Sequence, residues 1–413
     1  MSVIKAFAAL RPKPEYAADI AAPPFDVLDG GEAREMAKGN PYSFLHVSKA
    51  EIDLDGPISA YDGRVYAKAA SNLGWLAANA MLRDDRPCLY IYRLTMDGAA
   101  QTGLVMCGST GEYLSGRIRR HELTREDKER DRTRHIEATN ANAEPVFLAY
   151  RHADNPGIRA RLGAFTSGCQ PVYDFTADDG IRHQVWVIDG AEDIEGFISD
   201  FQILPMIYIA DGHHRSAAAA NVAQSRRETG ADPNAEYNYM LSVVFPDTEL
   251  RILACNRVVK DLNGLSPDGF LSALSGLFAV SRSDRQVMPD RLHVFGMYLD
   301  KCWYRLELIH TETISGGLTG VLDVSVLQDA VLAPILGIGD PRTDKRIDFI
   351  GGVRGLGELE KMVDSGEMAV AFSLFPTSMD QLLAVAGADE IMPPKSTWFE
   401  PKLRSGLFIH MLK

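Results

Sequence analysis

Residues 206 to 227 read as one continuous unit. A short apolar strand, Met206 to Ala210, stops at Asp211-Gly212 and runs directly into an alanine-rich helix from Ser216 to about Arg227. Between strand and helix lies Asp211-Gly212-His213-His214-Arg215. The first turn of a helix carries unpaired N–H groups and the positive end of the macrodipole, so three cations there are unfavourable by about 0.3–1 kcal/mol per full charge. A bound anion offsets that cost. Gly212 lets backbone approach a ligand, Arg215 offers a planar fork to phosphate oxygens, and the small Ala217–Ala220 run lets the helix sit close to a sheet. The blander alternative is a strand end whose histidines are satisfied by neighbouring carboxylates.

The rest of the chain sets the context for that turn. With 413 residues it is long enough for two or three domains, and 46% hydrophobic with 24% charged residues is the balance of an ordered globular protein. Lys plus Arg number 43 against 56 Asp plus Glu, a net charge of −13 that repels nucleic-acid phosphates, so no nucleic-acid partner is expected. The five scattered cysteines form no zinc-like pattern and fit reduced thiols. No leader-like segment or membrane-length apolar run is seen, which predicts a cytoplasmic protein with no membrane partner.

A strand is expected over 43–54 and a helix over 61–81. Strands follow at 88–96 and 102–107, around an Asp97-Gly98 turn. Thr124 is the expected N-cap of a charged helix reaching about Asn142, and strands at 145–150 and 184–188 precede the 206–227 unit. A break at Leu265 to Asp268 places a mixed α/β domain over 1–265 and a smaller α+β domain over 266–413. In the latter, an apolar helix is expected over 322–336, and strand 347–350, helix 356–363 and strand 368–374 read as a β-α-β crossover.

Other segments offer chemistry. In 117–135, pairs such as Glu126 with Arg130 and Asp131 with His135 suit a solvated helix. His121 and Glu122 precede it, and a carboxylate there with Lys128, Asp131 and Arg132 makes an acid/base and phosphate-clamping group. The zincin pattern H-E-x-x-H is excluded, because Arg125 stands where the second His is required. Gly351 to Gly357 does not match G-x-G-x-x-G, although Arg354 again puts a cation at a helix start. Lys395-Ser396-Thr397 resembles the end of a Walker A loop, but Asp389 and Pro394 occupy its glycine positions. Pro23-Pro24-Phe25-Asp26 is a rigid turn with one carboxylate.

The order PPFDVL (23–28), HELTREDKERDR (121–132), ADGHHRSAAA (210–219), RIDFIGGVRG (346–355) and MPPKSTWFEPKLRSG (392–406) resembles the bacterial and archaeal family known as domain of unknown function ten-fifteen, over essentially the whole chain. Strand, Gly-x-x-Arg and helix is also similar to the phosphate-binding turn of the ParB and sulfiredoxin superfamily, which includes partition proteins, a sulfinic-acid reductase and free-serine kinases. That resemblance implies an α+β fold with a ParB/sulfiredoxin-like mixed α/β core, and Gly212, His213, His214 and Arg215 holding nucleotide phosphates. His213 and His214 stand where sulfiredoxin has its Cys, and the acidic chain with an α+β tail lacks the DNA-binding helical domain of partition proteins. The kinase-like branch remains.

The resulting expectation is a phosphotransferase that uses ATP or ADP with Mg²⁺ on a small hydroxyl metabolite, free serine among the candidates. A phosphate-ester hydrolase and a non-catalytic nucleotide-binding regulator are its rivals. Glu122, then Asp211 and Asp26, are the expected catalytic carboxylates. His121, Lys128, Arg132, Arg354, Lys395, Ser396 and Thr397 join the turn as phosphate or nucleotide contacts. The sequence leaves homo-oligomerisation open.

Overall fold

The computed structural model describes residues 4–56, 58–230, 232–311, 314 and 316–413 of a mixed α/β chain. It divides into two compact units, Met1–Leu250 with Pro401–Lys413, and Arg251–Glu400. This division runs at Leu250 and again at Pro401, not at 265. The signal at Leu265 to Asp268 is a helix start: Ser266 caps Pro267–Leu274 by accepting from the Gly269 N–H, so local capping imitates a linker.

The first unit is built on a nine-stranded mixed sheet. Its edge runs Ile118–Arg119, Ile207–Asp211, Val146–Tyr150, Tyr239–Pro246 and Ala99–Ser109. Strand Ile207–Asp211 is parallel to Ile118–Arg119 and antiparallel to Val146–Tyr150, which in turn is parallel to Tyr239–Pro246. Leu89–Met96, Arg182–Ile188 and Tyr173–Thr176 continue the sheet as antiparallel neighbours, and Ile4–Lys5 pairs antiparallel with Ala99–Ser109 as the ninth strand. Asp97 and Gly98 turn the expected hairpin at φ 52° and 79°. Ile91, Leu104, Leu148, Trp186, Phe197 and Ile209 belong to one buried core cluster.

Two expectations here are corrected. Residues 43–54 form no strand; they fold as helix Leu45–Ser48 and the 3-10 turn Ala50–Asp53. His46 Nδ1 lies 2.7 Å from Asp53 Oδ1, and the Asn72 amide on helix Gly63–Asn79 donates to both the His46 carbonyl and Asp53 Oδ2. Those polar contacts close a helical turn that alternation alone misreads. The charged helix spans Glu126–Thr139 and is preceded by Arg125 without a side-chain cap, while the Thr124 hydroxyl donates to Glu129.

The second unit holds a six-stranded sheet whose pairings are all antiparallel, in the order Phe278–Ser283, Cys302–Leu308, Val294–Leu299, Val370–Ser373, Cys255–Val259, Ile347–Gly351. Ile347–Gly351 and Val370–Ser373 are thus parallel to each other, as the crossover requires, but Cys255–Val259 is inserted between them. In place of one apolar helix over 322–336, a short α-helix, Asp323–Leu327, passes into a π-helical turn, Gln328–Leu332. The five cysteines are free, and no helix among the described residues is long and apolar enough to cross a membrane.

The last thirteen residues are threaded back through the first unit. Ser405 bridges Ala22, Ile409 bridges Leu10, and His410–Met411 pairs with Ala141–Asn142. Gly406 makes this passage possible: its φ is +89°, and a Cβ there would stand 2.7 Å from the fully buried Phe44 ring. Left-handed backbone costs a side chain about 1–2 kcal/mol and overpacking typically adds about 1–3 kcal/mol. Gly406→Ala should therefore lower stability by about 2–5 kcal/mol in urea denaturation; a variant as stable as the parent would show that the segment is not packed this way.

Candidate functional site

The strand before the turn ends in an irregularity. Tyr208 and Ile209 pair with Ala149 and Leu148, but Asp211, not Ala210, pairs with Phe147, so the register shifts by one and re-aims Asp211. Gly212 follows at φ +92°, where a Cβ would lie 3.3 Å from the Arg215 guanidinium and 3.5 Å from the Val146 Cα. The helix begins at once and spans His213–Thr229, three residues before the expected start at Ser216. Ala217 to Ala220 are all buried, as close approach to the sheet requires.

Arg215 is the centre of this site and is 8% exposed. Its Nη1 donates to the Pro145 carbonyl, its Nη2 lies 3.5 Å from Asp26 Oδ2, and its Nε has no hydrogen-bond partner. Burial opposes its charge, but Asp26, Asp211 and Glu144 outweigh burial and raise its pKa. A small pocket beside it, with about 20 Å³ of water-accessible space, is lined by Arg132, His135, Glu144 and Arg215 among others. That is room for about one water.

Burial would raise the Asp211 pKa, yet Lys402, with Nζ 2.7 Å from Oδ2, and Arg215 hold it far below the carboxylate range. Asp211 also accepts from the Gly212 N–H at 2.7 Å. An anion so firmly paired is a poor proton acceptor. Asp211 fixes the turn, and its expected catalytic role passes to a carboxylate with fewer commitments.

The amino-terminal turn and the charged helix reach the same place. Phe25 covers the Arg132 guanidinium at 3.9 Å, and its N–H donates to Glu144. Arg132, 8% exposed, pairs with Asp131 at 2.7 Å and Glu144 at 3.3 Å, and Ser405 donates to the same Glu144. Asp131 therefore does not take His135, whose Nε2 lies 3.0 Å from the Val47 carbonyl. The Glu126–Arg130 pair does form, at 4.0 Å. Lys128 sits over the Tyr61 ring at 5.5 Å.

At the other side of the turn, the His121 and His213 rings are 4.5 Å apart and nearly perpendicular. Burial drives both pKa values down, His121 to about 4 and His213 well below its ordinary value, the latter reinforced by His121. His214 Nε2 accepts from the Arg125 N–H at 3.0 Å.

Arg354, Lys395, Ser396 and Thr397 belong to the second unit. Arg354 is exposed, and Lys395, at φ +57°, offers its carbonyl to the buried Arg257 at 3.0 Å. The Ser396 hydroxyl donates to the Pro393 carbonyl at 2.6 Å. The motif 392–406 is thus split: its first part builds the second unit, and Lys402 and Ser405 serve the turn. Glu144, Lys402 and Ser405 are the site residues that sequence reasoning missed. Lys402 and Ser405 lie in a quoted motif, but nothing local identifies their partners.

Solved structures similar to this chain include a mutant free serine kinase in complex with AMP, 14% identical, covering 75% of this chain and 92% of that one with a TM-score of 0.40. A second mutant of a free serine kinase, in complex with ADP, is 14% identical over 75% and 92% of the two chains, with a TM-score of 0.37. SbnI with a C-terminal truncation, from Staphylococcus aureus, is 11% identical over 74% and 87%, with a TM-score of 0.40. No curated protein matches the sequence. The family model described as protein of unknown function, DUF1015, matches residues 4–325, and the chain belongs to that family.

Proposed function

We propose that the first unit is a ParB/sulfiredoxin-like phosphotransferase that moves the terminal phosphate of ATP or ADP onto the hydroxyl of a small metabolite, free serine among the candidates. The observation that carries this reading is Arg215: a buried guanidinium at the first turn of a long helix, with an unpartnered Nε and a carboxylate at 3.5 Å. That distance exceeds the roughly 2.7–2.9 Å of a charge-assisted hydrogen bond, so the guanidinium keeps capacity for a phosphate. The first-turn N–H groups of His213 to Arg215 add donors and the positive end of the helix dipole.

Phosphoryl transfer needs positioning and charge neutralisation more than covalent help from the protein. The acceptor oxygen bonds to phosphorus as the bond to the departing nucleotide oxygen breaks, and the hydroxyl proton passes to a carboxylate. Asp26 suits that role better than Glu122, the first choice from sequence, because it faces Arg215 and its side chain is 41% exposed. Mg²⁺ takes oxygen donors and keeps several waters, so it would arrive on the nucleotide phosphates.

Phosphorus NMR of the full chain with ATP or ADP, Mg²⁺ and serine or related alcohols tests the reading. A new phosphomonoester resonance is expected. Asp26→Asn should slow its appearance by at least about 100-fold while nucleotide affinity changes little. Release of inorganic phosphate alone would make the protein a hydrolase, and unchanged turnover in Asp26→Asn would remove Asp26 from the chemistry.

A further inference from the structure

His121 and Glu122 sit just beyond the edge strand Ile118–Arg119, and His213 opens the helix 92 residues later. The parallel pairing of Ile118–Arg119 with Ile207–Tyr208 carries both segments out of the same end of the sheet. One donor atom from each of His121, Glu122 and His213 falls within 4.8 Å of the others. From these donors we infer that His121, Glu122 and His213 form a binding site for one divalent transition-metal ion of the Zn²⁺ class. The local H-E-x-x-H pattern fails at Arg125, but the fold supplies the second imidazole from the phosphate turn instead.

The donor set selects the class of ion. Two imidazoles and one carboxylate suit Zn²⁺, Co²⁺ or Fe²⁺, whereas Mg²⁺ and Ca²⁺ take oxygen donors. Zn–N and Zn–O distances of about 2.0–2.2 Å need only small side-chain adjustments to gather atoms already this close.

The surroundings also resemble a ligand shell. Both imidazoles are buried, with ring centroids 4.5 Å apart, so little reorientation separates them from a shared ion. The competing contact to His213 is weak: its Nε2 accepts from the His121 N–H at 3.5 Å, the outer limit of a hydrogen bond. His214, by contrast, is engaged by the Arg125 N–H at 3.0 Å and is not a ligand. Three protein donors leave an open coordination position, as in catalytic zinc sites, two residues from Arg215. The site stands on these donors alone and does not depend on the phosphotransferase reading.

The test is a Zn²⁺ titration of the full chain, stripped with a chelator and read by competition with a chromophoric chelator, followed by Co²⁺ absorption. The wild type is expected to take up one equivalent and to give d–d bands of low-coordinate Co²⁺ with nitrogen and oxygen ligands. Glu122→Gln, at a half-buried position, is expected to fold normally and to weaken binding at least tenfold. His213→Ala is expected to abolish the Co²⁺ bands. Failure of the stripped wild type to bind stoichiometrically overturns the inference, and so does unchanged affinity in folded Glu122→Gln. ADP titrations of the same samples, which the Arg215 reading governs, separate failure of this site from failure of the phosphate site.

Discussion

Arg215→Ala should lose at least about 100-fold in affinity for ADP and ATP in titration calorimetry while the chain stays folded. Hydrogen bonds to a charged partner contribute about 1.5–3 kcal/mol each, so losing a two-pronged contact is more than a hundredfold effect. The structural cost is smaller. The Pro145 carbonyl loses its donor, at about 1–3 kcal/mol, and the half-exposed Asp26 returns to water. Arg215→Lys keeps the charge and loses the fork, and should fall between the two. A folded Arg215→Ala that binds nucleotide as tightly as the parent would mean that the guanidinium is structural.

Acid should weaken the first unit steeply between pH 6.5 and 4. His135 and His183 are 5% and 0% exposed, and burial lowers their pKa values to about 4 and about 3; a nearby Arg adds to this in both, Arg132 for His135 and Arg404 for His183. In the unfolded chain both titrate near 6.5. Below that pH the unfolded state binds more protons, so the stability held at neutral pH is lost as pH falls toward the folded values. At about 1.4 kcal/mol per pH unit per group, the two together remove on the order of 4 kcal/mol between pH 7.5 and pH 5. Urea denaturation at both pH values measures it. The buried His121 and His213 add to the same loss, so His135→Gln, which keeps a donor for the Val47 carbonyl, should remove only the His135 share, about 2 kcal/mol; an equally steep loss in that variant would place the titration elsewhere.

Local signals in the sequence carry much of the site. Phe25 and Asp26, Arg132, and Gly212 to Arg215 lie in separate quoted motifs, and the fold brings them together through the Phe25–Arg132 and Asp26–Arg215 contacts. The Asp211-Gly212 stop and the alanines are legible because backbone conformation and helix size are local requirements. What stays hidden is non-local. Lys402 belongs to Asp211 only because residues 401–413 return to the first unit, and Glu144 becomes the common partner of Arg132, Ser405 and the Phe25 N–H only in the folded chain. Glu122 is the sequence neighbour of His121, but His213, 92 residues later, comes within reach of both only in the folded chain. The 43–54 segment fails for a related reason, since the contacts that bend it come from Asn72 on a later helix.

The most direct test of the phosphate turn is a crystal structure of the full chain with ADP. The terminal phosphate is expected within hydrogen-bond distance of the Arg215 guanidinium and of the first-turn N–H groups of His213 to Arg215, with Asp26 displaced from Arg215. Nucleotide bound elsewhere, with the Asp26–Arg215 pair intact, would rule out a phosphate site at this turn.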